Sequence, residues 1–208
     1  MSRKKRKVNY RSIEVTEDLW CSFTAPDIDL YEKFWRWVTG RHWQLYTAGC
    51  CRRVEHLVKD ERSLRISQAL EEHANGMLTT EILYLAVLDA RQASSEAYVA
   101  GASATDLEYT LCQTAATAAR AAEVVYFDAT SDNAWATPYP KQDFPRIRAR
   151  IAASVTHSGI EAAIAAARHA AGPDKNRREI WRDIGNREGQ FHCDRLREIV
   201  GNPFQKVG

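Results

Sequence analysis

The stretch from Arg41 to Gly76 limits the possible folds of this chain more than any other. Trp43, Tyr46, Thr47, Cys50, Cys51, Val54, Leu57 and Val58 recur at three- and four-residue steps, which gathers them on one face of a helix. Arg41, Gln44, Arg52, Glu55 and Lys59 fall largely on the other side. A turn at Lys59-Asp60 follows, and the Asp60 carboxylate is placed to accept from the free amides of a second helix. Leu64, Ile66, Ala69, Leu70 and Ala74 form the apolar set of that helix, and Asn75-Gly76 ends it with a residue that tolerates left-handed backbone. A connection this short predicts two antiparallel neighbours.

The same spacing extends over most of the chain. Thr16 to Trp20 reads as one helical turn. Thr24-Ala25-Pro26-Asp27 opens a helix to Val38, with Ile28, Tyr31, Phe34 and Trp35 inward and Gly40 as its stop. Trp35 and Trp37 could form a binding surface, but an aromatic stripe at helical spacing more commonly belongs to the core. Thr79-Thr80-Glu81 starts a helix whose first turns, Ile82 to Leu88, are apolar nearly all round and are expected to be buried on most sides. Leu107, Leu111, Ala115, Ala118, Ala122 and Val125 mark a central alanine-rich helix over residues 104–127. Residues 128–145 form a proline-rich loop. Its Trp135, Tyr139 and Phe144 either fasten it to the bundle or offer a partner contact. Helices are expected again from Arg146 to Ala171, with a break at His157-Ser158-Gly159, and from about Asp174 to Val200, closed by Gly201-Asn202-Pro203-Phe204. No segment alternates with period two, so the expected fold is all-α: a multi-helix bundle of antiparallel helical hairpins.

The chain has 208 residues, 45% of them hydrophobic and 27% charged, enough to bury a core without disulfides or metal. Its formal charge of +2 is unevenly placed: Arg3, Lys4, Lys5, Arg6 and Lys7 form one basic run, and the remainder is mildly acidic. Residues 1–12 are therefore expected to be a disordered basic tail ahead of a single helical domain over 13–208. The run resembles a nuclear localisation signal. It reads first as a solvated tail or a cloning remnant, and second as an arm for nucleic acid acting through counterion release. The longest apolar run, Ile82 to Leu88, has seven residues, far short of a membrane span. Five cysteines cannot all pair, and several sit on apolar faces with no secretory signal ahead of them, so reduced thiols in the cytoplasm are expected.

The patterns of common chemistries are missing. There is no Cys-x-x-Cys pair for zinc, no Glu-x-x-His pair for a di-iron bundle, and no His-Glu-x-x-His, Gly-x-Ser-x-Gly, phosphate-binding or dinucleotide-binding glycine motif. His192 and Cys193 are adjacent, which directs them to different helical faces. No catalytic, cofactor or metal residue is assigned. Cys50 and Cys51 beside two arginines could be activated thiols, but their place on the apolar face favours a structural role. Arg52 and Arg53 are expected to reach acidic residues around Asp60-Glu61 or Glu71-Glu72, or to stand in water. Arg52, Arg53, Asp60, Glu61, Trp135 and Tyr139 are the candidate polar or partner contacts.

Four short words carry a family resemblance: Thr16-Glu17-Asp18-Leu19-Trp20, Cys50-Cys51-Arg52-Arg53, Asp60-Glu61-Arg62-Ser63 and Gly201-Asn202-Pro203-Phe204. In their order and separation, the chain from about Val15 to Val207 resembles a family of uncharacterised bacterial all-helical proteins rich in alanine. The charged last helix and the proline-rich loop depart from that pattern. The resemblance implies an all-helical fold over nearly the whole chain and carries no activity with it. The functional expectation is a non-enzymatic helical interaction or regulatory module with a protein partner and no membrane association. The alternatives are a nucleic-acid-associated protein using residues 3–7 and a small enzyme whose site is assembled from distant residues.

Overall fold

Three helices of this chain begin where a local side chain satisfies free backbone amides. The computed structural model describes residues 14–24, 28–34, 37–100, 144–171 and 177–204. The helices are α1 (Glu17–Ser22), α2 (Ile28–Phe34), α3 (Gly40–Val54, continued by a 3-10 turn over Glu55–Leu57), α4 (Glu61–Ala74), α5 (Thr80–Ala100), α6 (Phe144–Ala171) and α7 (Arg177–Val200). No strand occurs among the described residues, and the fold is all-α.

Thr16 caps α1 by accepting from the Leu19 amide at 3.2 Å. Thr39 and His42 form a reciprocal capping pair at the start of α3. Gly40 is therefore the first residue of α3, not the stop of the preceding helix that the sequence suggested. Asp60 caps α4, accepting from the Arg62 amide at 2.9 Å. Gly76 and Gly201 take φ of 72° and 74° just beyond α4 and α7, the left-handed conformation that a glycine tolerates at a helix end. Pro145 lies in the first turn of α6, which begins at Phe144, two residues earlier than expected.

α3 is the hub, packing against α4, α6 and α7; α6 also packs on α2 and α7. The α3–α4 hairpin is antiparallel, since Arg41 at the start of α3 donates to Ala74 O (2.9 Å) and Asn75 Oδ1 (3.0 Å) at the end of α4. His73 joins three helices. Its Nδ1 lies 2.9 Å from Gln44 Oε1 on α3, and its Nε2 lies 3.1 Å from Thr80 Oγ1 on α5. Gln44 is consequently buried, although its helical position had placed it on the polar side.

An aromatic cluster closes one end of the core. Trp20, Phe23 and Phe34 meet with ring centres 4.6–5.7 Å apart. Arg197 of α7 stacks over Phe23 at 4.4 Å and donates to the carbonyls of Trp20 and Phe23, while Trp20 Nε1 donates to Gly201 O at 3.2 Å. The first and last helices are thereby tied together. Phe204 packs against Trp37, ring centres 5.4 Å apart, so Trp37 belongs to the edge of the core.

Two expectations fail. α6 runs without a break through His157-Ser158-Gly159. Gly159 faces α3 and α7 inside the helix: a methyl there would make ordinary contacts with Cys50 O at 3.8 Å and His192 Nε2 at 3.9 Å. At the start of α5, Leu83 and Val87 are buried but Ile82, Leu85 and Leu88 are exposed; among the described helices, α5 packs chiefly against α4. The basic run, the predicted helix over 104–127, Cys112, Trp35, Trp135 and Tyr139 lie outside the described residues.

Candidate functional site

A line of polar groups runs through the core where α2, α3, α6 and α7 meet. Thr156 Oγ donates to Ala152 O at 2.9 Å, a carbonyl that can only accept. That fixes the direction of the rest: Tyr46 donates to Thr156 at 2.7 Å, and Tyr31 donates to Tyr46 at 2.7 Å. All three residues are fully buried. Burial pushes both phenols well above their ordinary range, so they serve here as neutral donors.

Cys50 continues the line. Its sulfur lies 3.7 Å from Thr156 Oγ and 3.3 Å from Nδ1 of His192. The helices explain the meeting: α3 and α7 run antiparallel, so Cys50 faces His192 and, one turn on, Arg53 faces Glu188. Arg53 holds Glu188 with two hydrogen bonds of 2.8 and 3.0 Å. Arg187 adds a third contact at 3.3 Å. Burial alone would raise the Glu188 carboxyl, but Arg53's hydrogen bonds and charge, with Arg187's, hold it below the ordinary range. The carboxylate is 3% exposed against 39% for the Arg53 side chain, so the pair bridges core and surface.

The thiol and imidazole are both neutral. Burial pushes Cys50 up to about 12, against the opposing hydrogen bonds of Thr156 and Tyr46 and the charge of Arg195. Burial lowers His192 to about 4; the Glu188 charge raises it and the Arg53 charge lowers it, so the two largely oppose each other. The proton therefore stays on sulfur. His192 Nε2 is buried and has no hydrogen-bond partner; neither does the buried Nε1 of Trp43 on α3. Cys193 and Cys51 are also buried, and burial raises both thiols, Cys193 to about 12. A nucleophile and a base are in hydrogen-bonding reach, but they are sealed and uncharged.

The expected polar contacts divide. Arg52 pairs with Glu71 at the surface, as the sequence suggested. Arg53 reaches neither Asp60-Glu61 nor Glu71-Glu72 but Glu188, a partner 135 residues away. Asp60 is taken by Arg62, whose guanidinium also reaches Glu96 of α5 at 2.6 Å; Arg62's hydrogen bonds hold Asp60 below its ordinary range. Glu61 is exposed and stands 4.0 Å from Arg65. The sequence pattern relates His192 to Cys193, its neighbour, and not to Cys50, which it meets in the fold. The one available signal for His192 was its place four residues after Glu188 on the same face.

Among the described residues, no group of three or more His, Cys, Asp or Glu side chains is placed to hold a metal ion. Among the same residues, no helix is long and apolar enough to cross a membrane. The fold and its central feature define an all-helical bundle with a buried thiol–imidazole seam. No protein-family model, curated protein or solved structure matches the chain.

Proposed function

We propose that this chain is a non-enzymatic, cytoplasmic helical module that binds another protein through the outer face of α5. The observation that carries this reading is a row of apolar side chains facing solvent. Ile82, Leu85 and Leu88 follow one another at three-residue steps and are 50%, 59% and 42% exposed. Met77, also exposed, extends the apolar surface just ahead of α5. Single exposed apolar residues need no explanation, whereas a contiguous row is a common mark of an interaction surface.

Glu81 and Asp89 are exposed beside the row. The complementary partner is an amphipathic helix with apolar anchors at three- and four-residue steps and flanking lysine or arginine. The sealed, neutral state of Cys50 and His192 favours a binding role over catalysis.

A photo-crosslinker at position 85, introduced in cells, tests the reading. The expected result is one dominant adduct through a basic amphipathic segment of another protein, lost when Ile82 and Leu88 are both changed to Glu. No adduct, or an adduct with a second copy of this chain, would overturn it.

A further inference from the structure

The Cys50–His192 pair lies under a cover of three side chains. Arg53 is one helical turn beyond Cys50, and Glu188 one turn before His192, so their ion pair forms the next rung outward in the α3–α7 seam. The Arg53 guanidinium lies 4.6 Å over the Phe191 ring. Phe191, partly exposed, meets the His192 ring edge-on with centres 5.4 Å apart and planes at 75°. Beneath this cover the imidazole presents Nδ1 to the sulfur at 3.3 Å and leaves Nε2 buried with no partner. An orphaned ring nitrogen beside a thiol costs stability and adds nothing to packing, which marks the pair as more than core filling.

We propose that Cys50 is a masked oxidation site, which His192 activates toward hydroperoxides when the Arg53–Phe191 cover opens. This rests on the seam and is independent of the α5 interface. While the cover is closed, burial keeps the proton on sulfur. Opening admits water to both groups and lifts the burial penalty on their charged forms, so a thiolate–imidazolium fraction becomes accessible. Nδ1 then takes the thiol proton, and Nε2, hydrated at last, helps carry the imidazolium charge. The thiolate attacks one peroxide oxygen, so an S–O bond forms and the O–O bond breaks. The departing hydroxide or alkoxide takes the proton from His192. Sulfur gives up two electrons and the peroxide gains them, yielding the sulfenic acid and water or an alcohol.

The full-length chain treated with hydrogen peroxide and dimedone tests this, with tandem mass spectrometry separating Cys50 from Cys51. In the unmodified protein, exposed Cys21 should be labelled well before Cys50. Arg53→Ala and, separately, Phe191→Ala should each speed labelling of Cys50 by about tenfold or more, with Cys51 and Cys193 unchanged. Adding His192→Asn to either variant should return Cys50 towards its original rate. Equal acceleration of Cys50, Cys51 and Cys193 would signify general loosening and overturn the proposal. It would equally fail if neither cover variant sped Cys50, or if His192→Asn left the faster rate unchanged.

Discussion

The α3–α7 seam and the outer face of α5 invert the usual arrangement of polar and apolar groups. The seam buries a carboxylate, an imidazole, a thiol, two phenols and a hydroxyl. The α5 face holds isoleucine and leucines in water. The two neighbouring arginines of the Cys50-Cys51-Arg52-Arg53 word belong to different regimes. Arg52 meets Glu71 where both are well solvated, 52% and 38% exposed, whereas Arg53 neutralises a carboxylate that water hardly reaches. The chemical identity of a residue does not set its energetic weight. The solvent around its partner does.

That contrast is sharpest under mutation. Arg53→Met should destabilise the protein by about 3 kcal/mol, because it leaves the Glu188 charge buried with only the weaker Arg187 contact. Arg52→Met should cost no more than about 0.5 kcal/mol, since its pair is screened by water. Denaturant melts of the two variants would measure the difference, and equal costs would erase the distinction between seam and surface.

The next largest effect depends on pH. His192 is held neutral down to about 4 in the folded chain, from an ordinary value of 6.5. Between those values the unfolded chain binds a proton that the folded chain excludes. Its stabilising contribution is therefore complete above pH 6.5 and is lost as the pH falls through that window. The loss amounts to about 3 kcal/mol, and His192→Phe should flatten that part of the stability profile. Tyr46→Phe comes third. It strands the Tyr31 hydroxyl and should cost about 1–2 kcal/mol by thermal or denaturant melt. Leu85→Glu, on the solvated face, should change stability by less than about 0.5 kcal/mol in the same measurement.

The features that could be read in the sequence are local ones. Asp60 as a cap, Gly76 and Gly201 as stops, and the buried run of Trp43, Tyr46, Cys50 and Val54 all follow from residues within a turn or two of one another. The α3–α4 hairpin was legible for that reason. The seam was not. Cys50 and His192 are 142 residues apart, and Tyr46 and Thr156 are 110 apart, so no spacing rule relates them. His192 and Cys193 are neighbours in sequence, but the partner of His192 is Cys50 on another helix. At Gly159 a glycine usually associated with a break sits inside a continuous helix, at a contact of ordinary spacing. At Ile82–Leu88 all-round apolarity suggests burial on most sides, but Leu83 and Val87 are the fully buried pair, Tyr84 and Ala86 pack partly on the core, and Ile82, Leu85 and Leu88 stay exposed.

The protonation state of His192 in the intact protein is the most direct probe of the central claim, that the seam keeps a neutral thiol beside a neutral imidazole. Nitrogen-15 NMR of the imidazole ring across pH should show His192 uncharged through pH 5 and titrating near 4. A ring that is already cationic at neutral pH, or that titrates at 6.5 or above, would mean a thiolate–imidazolium pair or an open seam and would contradict the account.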